Sequence, residues 1–184
     1  MIYVTISTGI GGGVIVNGEL LHGANGIGGE LGHITVLPEG PLCGCGQRGH
    51  LEAVASGPAI VKFVRTEIDR GQNSSLKELD EFTAKEVGEA ADNGDRLAKQ
   101  AFDQAGLYIG RAMADYLHIF NPSAIVIGGG VSNVGSLILD PIQSAIQRYT
   151  LSKYYLEDLI VSTAQLGDHA GLLGAYAIAR ERSD

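Results

Sequence analysis

The residues best suited to chemistry lie in one stretch, residues 30–52, which reads ELGHITVLPEGPLCGCGQRGHLE. It holds Glu30, His33, Cys43, Cys45, His50 and Glu52, including both cysteines of the chain and two of its five histidines. Zinc in structural sites takes four tetrahedral ligands, drawn from Cys and His. Cys43-x-Cys45 puts two sulfurs on one tight turn, and Gly44 and Gly46 let the backbone bend there. His50 follows after a short loop and His33 precedes, so His33, Cys43, Cys45 and His50 make a complete ligand set. Two reduced cysteines beside unrelated histidines, or a strained C-x-C disulfide, would show the same spacing. A two-cysteine pattern alone does not decide between them. Glu30 and Glu52 flank the set. Paired carboxylates accept hydrogen bonds from hydroxyls and suit a sugar ring; solvated surface charge is the plain alternative.

Two glycine-rich segments complete the chemical inventory. Residues 7–13, STGIGGG, join two strand-like runs. Thr8, Gly9, Gly11, Gly12 and Gly13 could present backbone N–H groups, and one hydroxyl, to anionic oxygens. The strand–loop–strand setting excludes the Rossmann and Walker patterns, which lead into a helix. A plain flexible turn is the other reading. The second segment, Gly128, Gly129, Gly130 and Val131, follows the apolar run at 124–127. The carboxyl end of a buried parallel strand is where open α/β sheets bind ligands.

These residues need a scaffold. Residues 1–6 and 14–16 read as strands, and Asn17-Gly18 is a hairpin signal leading to a return strand at 19–21. A second glycine-rich loop at 22–29 delivers Glu30, with a strand expected at 33–36. A short helix at 51–55 and another at 59–68 follow, the second begun by Pro58. Residues 70–81 read as a polar loop. Thr83-x-x-Glu86 is a capping box opening a helix to about residue 91. Apolar residues at helical spacing predict a long helix over 95–120, stopped by Asn121-Pro122; its stripe, and His118 on it, read as packing. A helix capped by Asp140-Pro141, a strand at 158–162 and a helix from Asp168 to about Arg182 complete the chain. Three antiparallel strands followed by α-β-α-β-α give an α/β domain with a mixed five-stranded sheet and helices on both faces. Ribonuclease H-like and actin-like ATPase lobes are built this way.

The 184 residues suffice for one sizeable domain, and 45% hydrophobic residues suffice for its core. A net charge of −8 argues against nucleic acid or an anionic membrane as partner. No apolar run is long enough to span a bilayer, the start has no secretion-signal character, and two cysteines make no disulfide scaffold. The expected location is the reducing cytoplasm.

Four segments resemble the ROK family of repressors, open reading frames and kinases, which are chiefly sugar kinases with related sugar-responsive repressors. They are TGIGGG at 8–13, GANGIGGELGH at 23–33, CGCGQRGHLE at 43–52, and IVIGGGVS at 125–132 with AGLLGA at 170–175. The resemblance implies that Glu30, His33 and Glu52 bind sugar hydroxyls. It implies that His33 also holds a structural zinc through its other ring nitrogen, with Cys43 and Cys45. The 8–13 segment would cradle the phosphates of ATP and its magnesium, and the 128–131 segment would lie against adenosine. His50 stands where the family has its third zinc cysteine. The family's general base, an Asp in an N-terminal half, has no counterpart among these residues. The chain is therefore expected to be a C-terminal lobe, inactive alone, that pairs with a missing half or self-associates. A sugar-binding effector domain of a repressor is one competing reading, and a degenerate fragment with a structural role is another.

Overall fold

A computed structural model describes residues 1–181, with the side chains of Asp168 and Glu181 left aside. Five strands form one sheet: β1 (Ile2–Ile6), β2 (Ile10–Val16), β3 (Glu19–Leu20), β4 (Ala124–Gly128) and β5 (Ile160–Thr163). The spatial order is β3-β2-β1-β4-β5. β1 pairs antiparallel with β2 and parallel with β4, which pairs parallel with β5. The meander and the crossovers are thus as the sequence implies. Asn17 and Gly18 take positive φ, 52° and 85°, as a two-residue hairpin turn requires.

The helices are α1 (Leu51–Ala55), α2 (Gly57–Asp69), α3 (Ala84–Asp92), α4 (Arg96–Phe120), α5 (Ser136–Tyr149) and α6 (Ala170–Glu181). Arg182 lies outside the described residues. α4 is the backbone of the core, burying Leu97, Phe102, Ile109, Met113 and Tyr116 among others along one stripe. Asn121 ends it in the left-handed region, at φ 41°. The Thr83–Glu86 capping box forms as read.

On β1 and β4 the residues Ile2, Val4, Ile6, Ile125 and Ile127 are fully or almost fully buried, whereas Tyr3, Thr5 and Val126 are half-buried. The main core therefore lies on one face of the sheet. The other face is only partly covered, and α6 exposes Leu172, Leu173 and Tyr176. Among the described residues no helix is long and apolar enough to cross a membrane.

Four local expectations are corrected. The strand at 33–36 is absent; a 3-10 turn, Leu31–His33, takes its place, and Thr35 makes only an isolated bridge to His50. Strand β2 begins at Ile10, so the glycine loop shrinks to residues 7–9. The polar segment after α2 contains a 3-10 turn, Ser75–Glu78, that buries Leu76. Helix α5 starts at Ser136, and Pro141 sits inside it. Its ring packs where a side chain at Gly106 of α4 would stand, so tertiary packing overrides the helix-start signal.

Asp95 caps α4. Burial alone would raise its pKa, but N–H groups of Ala98 and Ser75 and the hydroxyls of Ser74 and Ser75 donate to the carboxylate and hold it at about 2. A lowered native pKa stabilises the fold above the unfolded value. Asp95→Ala should therefore cost about 1 kcal/mol at neutral pH, the group being largely solvent-screened. The gap between the two proteins should close as the pH falls from 3.8 through about 2, a trend that urea unfolding across that window would measure.

Candidate functional site

Residues 34–50 fold back through short-range contacts. Val36 and Leu37 N–H both donate to the Gly49 carbonyl, and Gly49 N–H donates to Pro41. Inside this loop Cys43 N–H donates to Gln47 O and Gly46 N–H to Cys43 O, which makes the tight turn that carries both sulfurs. His50 then forms the N-cap of α1.

This loop brings the four sequence-predicted metal ligands together. His33 Nδ1 lies 3.3 Å from His50 Nδ1 and 3.7 Å from Cys43 Sγ, and His50 Nδ1 lies 3.2 Å from Cys45 Sγ. All four ligand atoms fall within 4.8 Å of one another. Tetrahedral zinc–sulfur and zinc–nitrogen bonds imply ligand separations of about 3.3–3.8 Å. The donor set suits a zinc ion, and the three short separations match its tetrahedral spacing. Both cysteines are free, Cys43 buried and Cys45 exposed. Burial pushes the Cys43 thiol up, against an opposing hydrogen bond from the Cys45 backbone. A bound cation reverses that direction by taking the thiolate as ligand.

His33 has its other nitrogen free for a second task. Its Nε2 faces Glu30 Oε2 at 3.7 Å, and Glu30 is 68% exposed. One imidazole thus joins the Cys–His cluster to an exposed carboxylate.

Glu52 bonds to two groups of the protein itself. Its Oε2 accepts the Ile10 N–H at 3.1 Å, and its Oε1 accepts from the Cys43 thiol at 3.6 Å. It therefore links the Cys–His loop to the β1–β2 bend. A methyl group at Gly9 would displace the Glu52 carboxylate from this position.

A cleft of about 970 Å³ borders that bend at Ser7 and Thr8. Ser7 and Thr8 line one wall and Gly130 and Val131 another, so the two glycine-rich segments meet on a single cavity. Gly57 N–H donates to the Ser7 carbonyl at 2.8 Å and seats the start of α2 against the bend. Gly11, Gly12 and Gly13 are ladder residues of β2, opposite Thr5, Val4 and Tyr3, and do not line the cleft. Gly128 ends β4 beneath the Tyr3 phenol, and Gly129, at φ 89°, turns the chain toward Gly130. Sequence reasoning missed the remaining wall: Pro58, Lys62 and Arg65 of α2, Phe82, and Lys85 and Gly88 of α3. No motif marks them, although the capping box places α3 correctly.

A mixed five-stranded sheet of this order, with a hairpin bend and a glycine turn sharing a cleft, is that of an actin-like ATPase lobe. The chain belongs to the ROK family, whose family model matches residues 1–182. A glucokinase of Thermotoga maritima is 41% identical over 99% of this chain, which spans 58% of that protein. The transcriptional dual regulator NagC of Escherichia coli is 36% identical over 97% of this chain and 43% of its own length. The crystal structure of a ROK family glucokinase from Streptomyces griseus, in complex with glucose and AMPPNP, superposes with a TM-score of 0.87 at 38% identity, covering 98% of this chain and 60% of that one. The chain thus spans between two fifths and three fifths of these relatives.

Proposed function

We propose that this chain is the C-terminal, sugar- and zinc-binding half of an ATP-dependent hexose kinase of the ROK type, with glucose the favoured hexose. The observation that carries the reading is the shared wall: Thr8, Gly130 and Val131 line one cleft, and the β1–β2 bend that borders it is tied by Glu52 to the metal loop. A nucleotide in the cleft and a sugar against Glu30 and His33 would lie on either side of that bend. His33, Cys43, Cys45 and His50 would hold zinc, which supplies a fixed ring orientation for His33 and takes no part in phosphoryl transfer. Thr8 and the N–H groups of the bend would meet the phosphates with their magnesium. The residues Gly11, Gly12 and Gly13 would act through the hairpin they build.

The base that would deprotonate the sugar hydroxyl is the Asp that the family resemblance places in an N-terminal half, and the residues of this chain would act together with such a half. The exposed apolar residues of α6 favour either such a half or a second copy as cover. Mixing the zinc-loaded chain with a matching N-terminal half should restore glucose-dependent ADP release. A folded mixture with none would refute the kinase reading.

A repressor's effector domain is the second reading, favoured by the 36% identity to NagC. It predicts sugar binding without nucleotide binding. Calorimetric titration with AMPPNP and magnesium separates the two: the kinase half binds it, the effector domain does not.

A further inference from the structure

We propose that Tyr116 is a positioning residue for the sugar- and metal-facing turn: its phenol, by bonding the Leu31 carbonyl, fixes where Glu30 and His33 point. The sugar arm of this inference rests on the function proposed above; the metal arm does not.

Tyr116 lies on the buried stripe of α4 and is 1% exposed. Its O–H donates to the Leu31 carbonyl at 2.6 Å, across 85 residues of sequence. Packing alone would be served by phenylalanine, because a buried hydroxyl must find an acceptor or lose stability. Burial, with the Asp115 charge beside it, holds the phenol above its ordinary value, so it remains a proton donor at any working pH. The acceptor is the first residue of the turn Leu31–His33. Bonds within the turn are local: Leu31 N–H reaches Gly29 O and His33 N–H reaches Glu30 O, and Glu30 supplies no side-chain cap. Long-range anchoring comes from α4 through Tyr116, from α1 and the burial of Leu31, and from β2, against whose Ile10 carbonyl Gly32 lies too close for any side chain. Ile10 is also the residue whose N–H is held by Glu52. The turn is therefore clamped between the longest helix and the bend beside the cleft. Removing the phenol would free one side of that clamp and leave the other intact.

Tyr116→Phe keeps the ring and deletes the hydroxyl. On the zinc-loaded chain, the rate of zinc transfer to a chelator, the affinities for glucose and AMPPNP, and the melting temperature would be measured together. Zinc should leave about tenfold faster, as for loss of other groups that orient metal ligands. Glucose affinity should fall with it while AMPPNP affinity holds. Met113→Ala, which destabilises the same helix but leaves the hydroxyl in place, serves as control for stability and should leave the zinc rate unchanged. The inference is overturned if Tyr116→Phe leaves zinc release unchanged, or if the control speeds it equally. A wild-type chain that holds zinc but binds no glucose would refute the functional reading, and the role of Tyr116 would then be decided by the zinc rate alone.

Discussion

Cys43→Ala should cost the chain its metal and most of its capacity to bind sugar. Cys43 is the buried ligand of the set, beside both His33 Nδ1 and the Glu52 carboxylate. Structural zinc sites bind with about 10–16 kcal/mol, and a three-ligand remnant open to water keeps only part of that. Zinc should drop from one per chain to a small fraction after dialysis, as read by metal analysis. The loop at 34–50 relies on a few short-range backbone bonds, so it should also become sensitive to proteolysis. The sheet and α4 share a well-filled core to which the 34–50 loop contributes Val36, with Ile34 packed against it, so far-ultraviolet circular dichroism should change little. Glucose affinity should fall at least about tenfold, since His33 would lose the bond that orients it. An unchanged zinc content would remove Cys43 from the ligand set.

Glu52→Ala should weaken both ligands at once. The substitution leaves the partly buried Ile10 N–H without its acceptor, a loss of about 1–3 kcal/mol. It also removes the carboxylate beside Cys43. If sugar hydroxyls use the same carboxylate, glucose affinity should fall about tenfold or more, the loss expected of a hydrogen bond to a charged group. AMPPNP affinity should fall by a smaller factor, because Ile10 adjoins the bend that carries Ser7 and Thr8. Glu52→Gln retains an oxygen for the Ile10 N–H and should recover the nucleotide affinity more than the sugar affinity. Paired calorimetric titrations would measure this. Nucleotide affinity unaffected by Glu52→Ala would show that the metal loop and the cleft act independently.

The sequence made the antiparallel meander and the mixed sheet legible through the Asn17-Gly18 turn, the uninterrupted apolar run of β4 and the 25-residue helix between the two halves of the sheet. It also made the gathering of His33, Cys43, Cys45 and His50 legible, because cysteine and histidine have few other reasons to recur in so glycine-rich a loop. The errors arose where long-range contacts outvote local pattern. Residues 33–36 alternate like a strand, yet His33 is needed in a turn held by Tyr116 from 85 residues away, and no periodicity encodes that distance. Gly11, Gly12 and Gly13 have low intrinsic strand preference, yet pairing with β1 on an otherwise good hairpin draws them into the ladder. Pro141 has the right neighbours for a helix start, but Gly106 offers its ring a seat inside α5. The α2–α3 wall of the cleft was invisible because residues such as Lys62 and Lys85 look like any solvated helix surface until the fold turns them to one cavity. The link made by Glu52 was hidden for the same reason: its partner N–H lies 42 residues upstream.

Zinc-edge X-ray absorption on the purified chain probes the metal clamp most directly. One zinc per chain is expected, with two sulfur ligands at about 2.3 Å and two nitrogen ligands at about 2.0–2.1 Å. Substoichiometric zinc, or an ion surrounded mainly by oxygen, would contradict it and detach His33 from both the loop and the sugar.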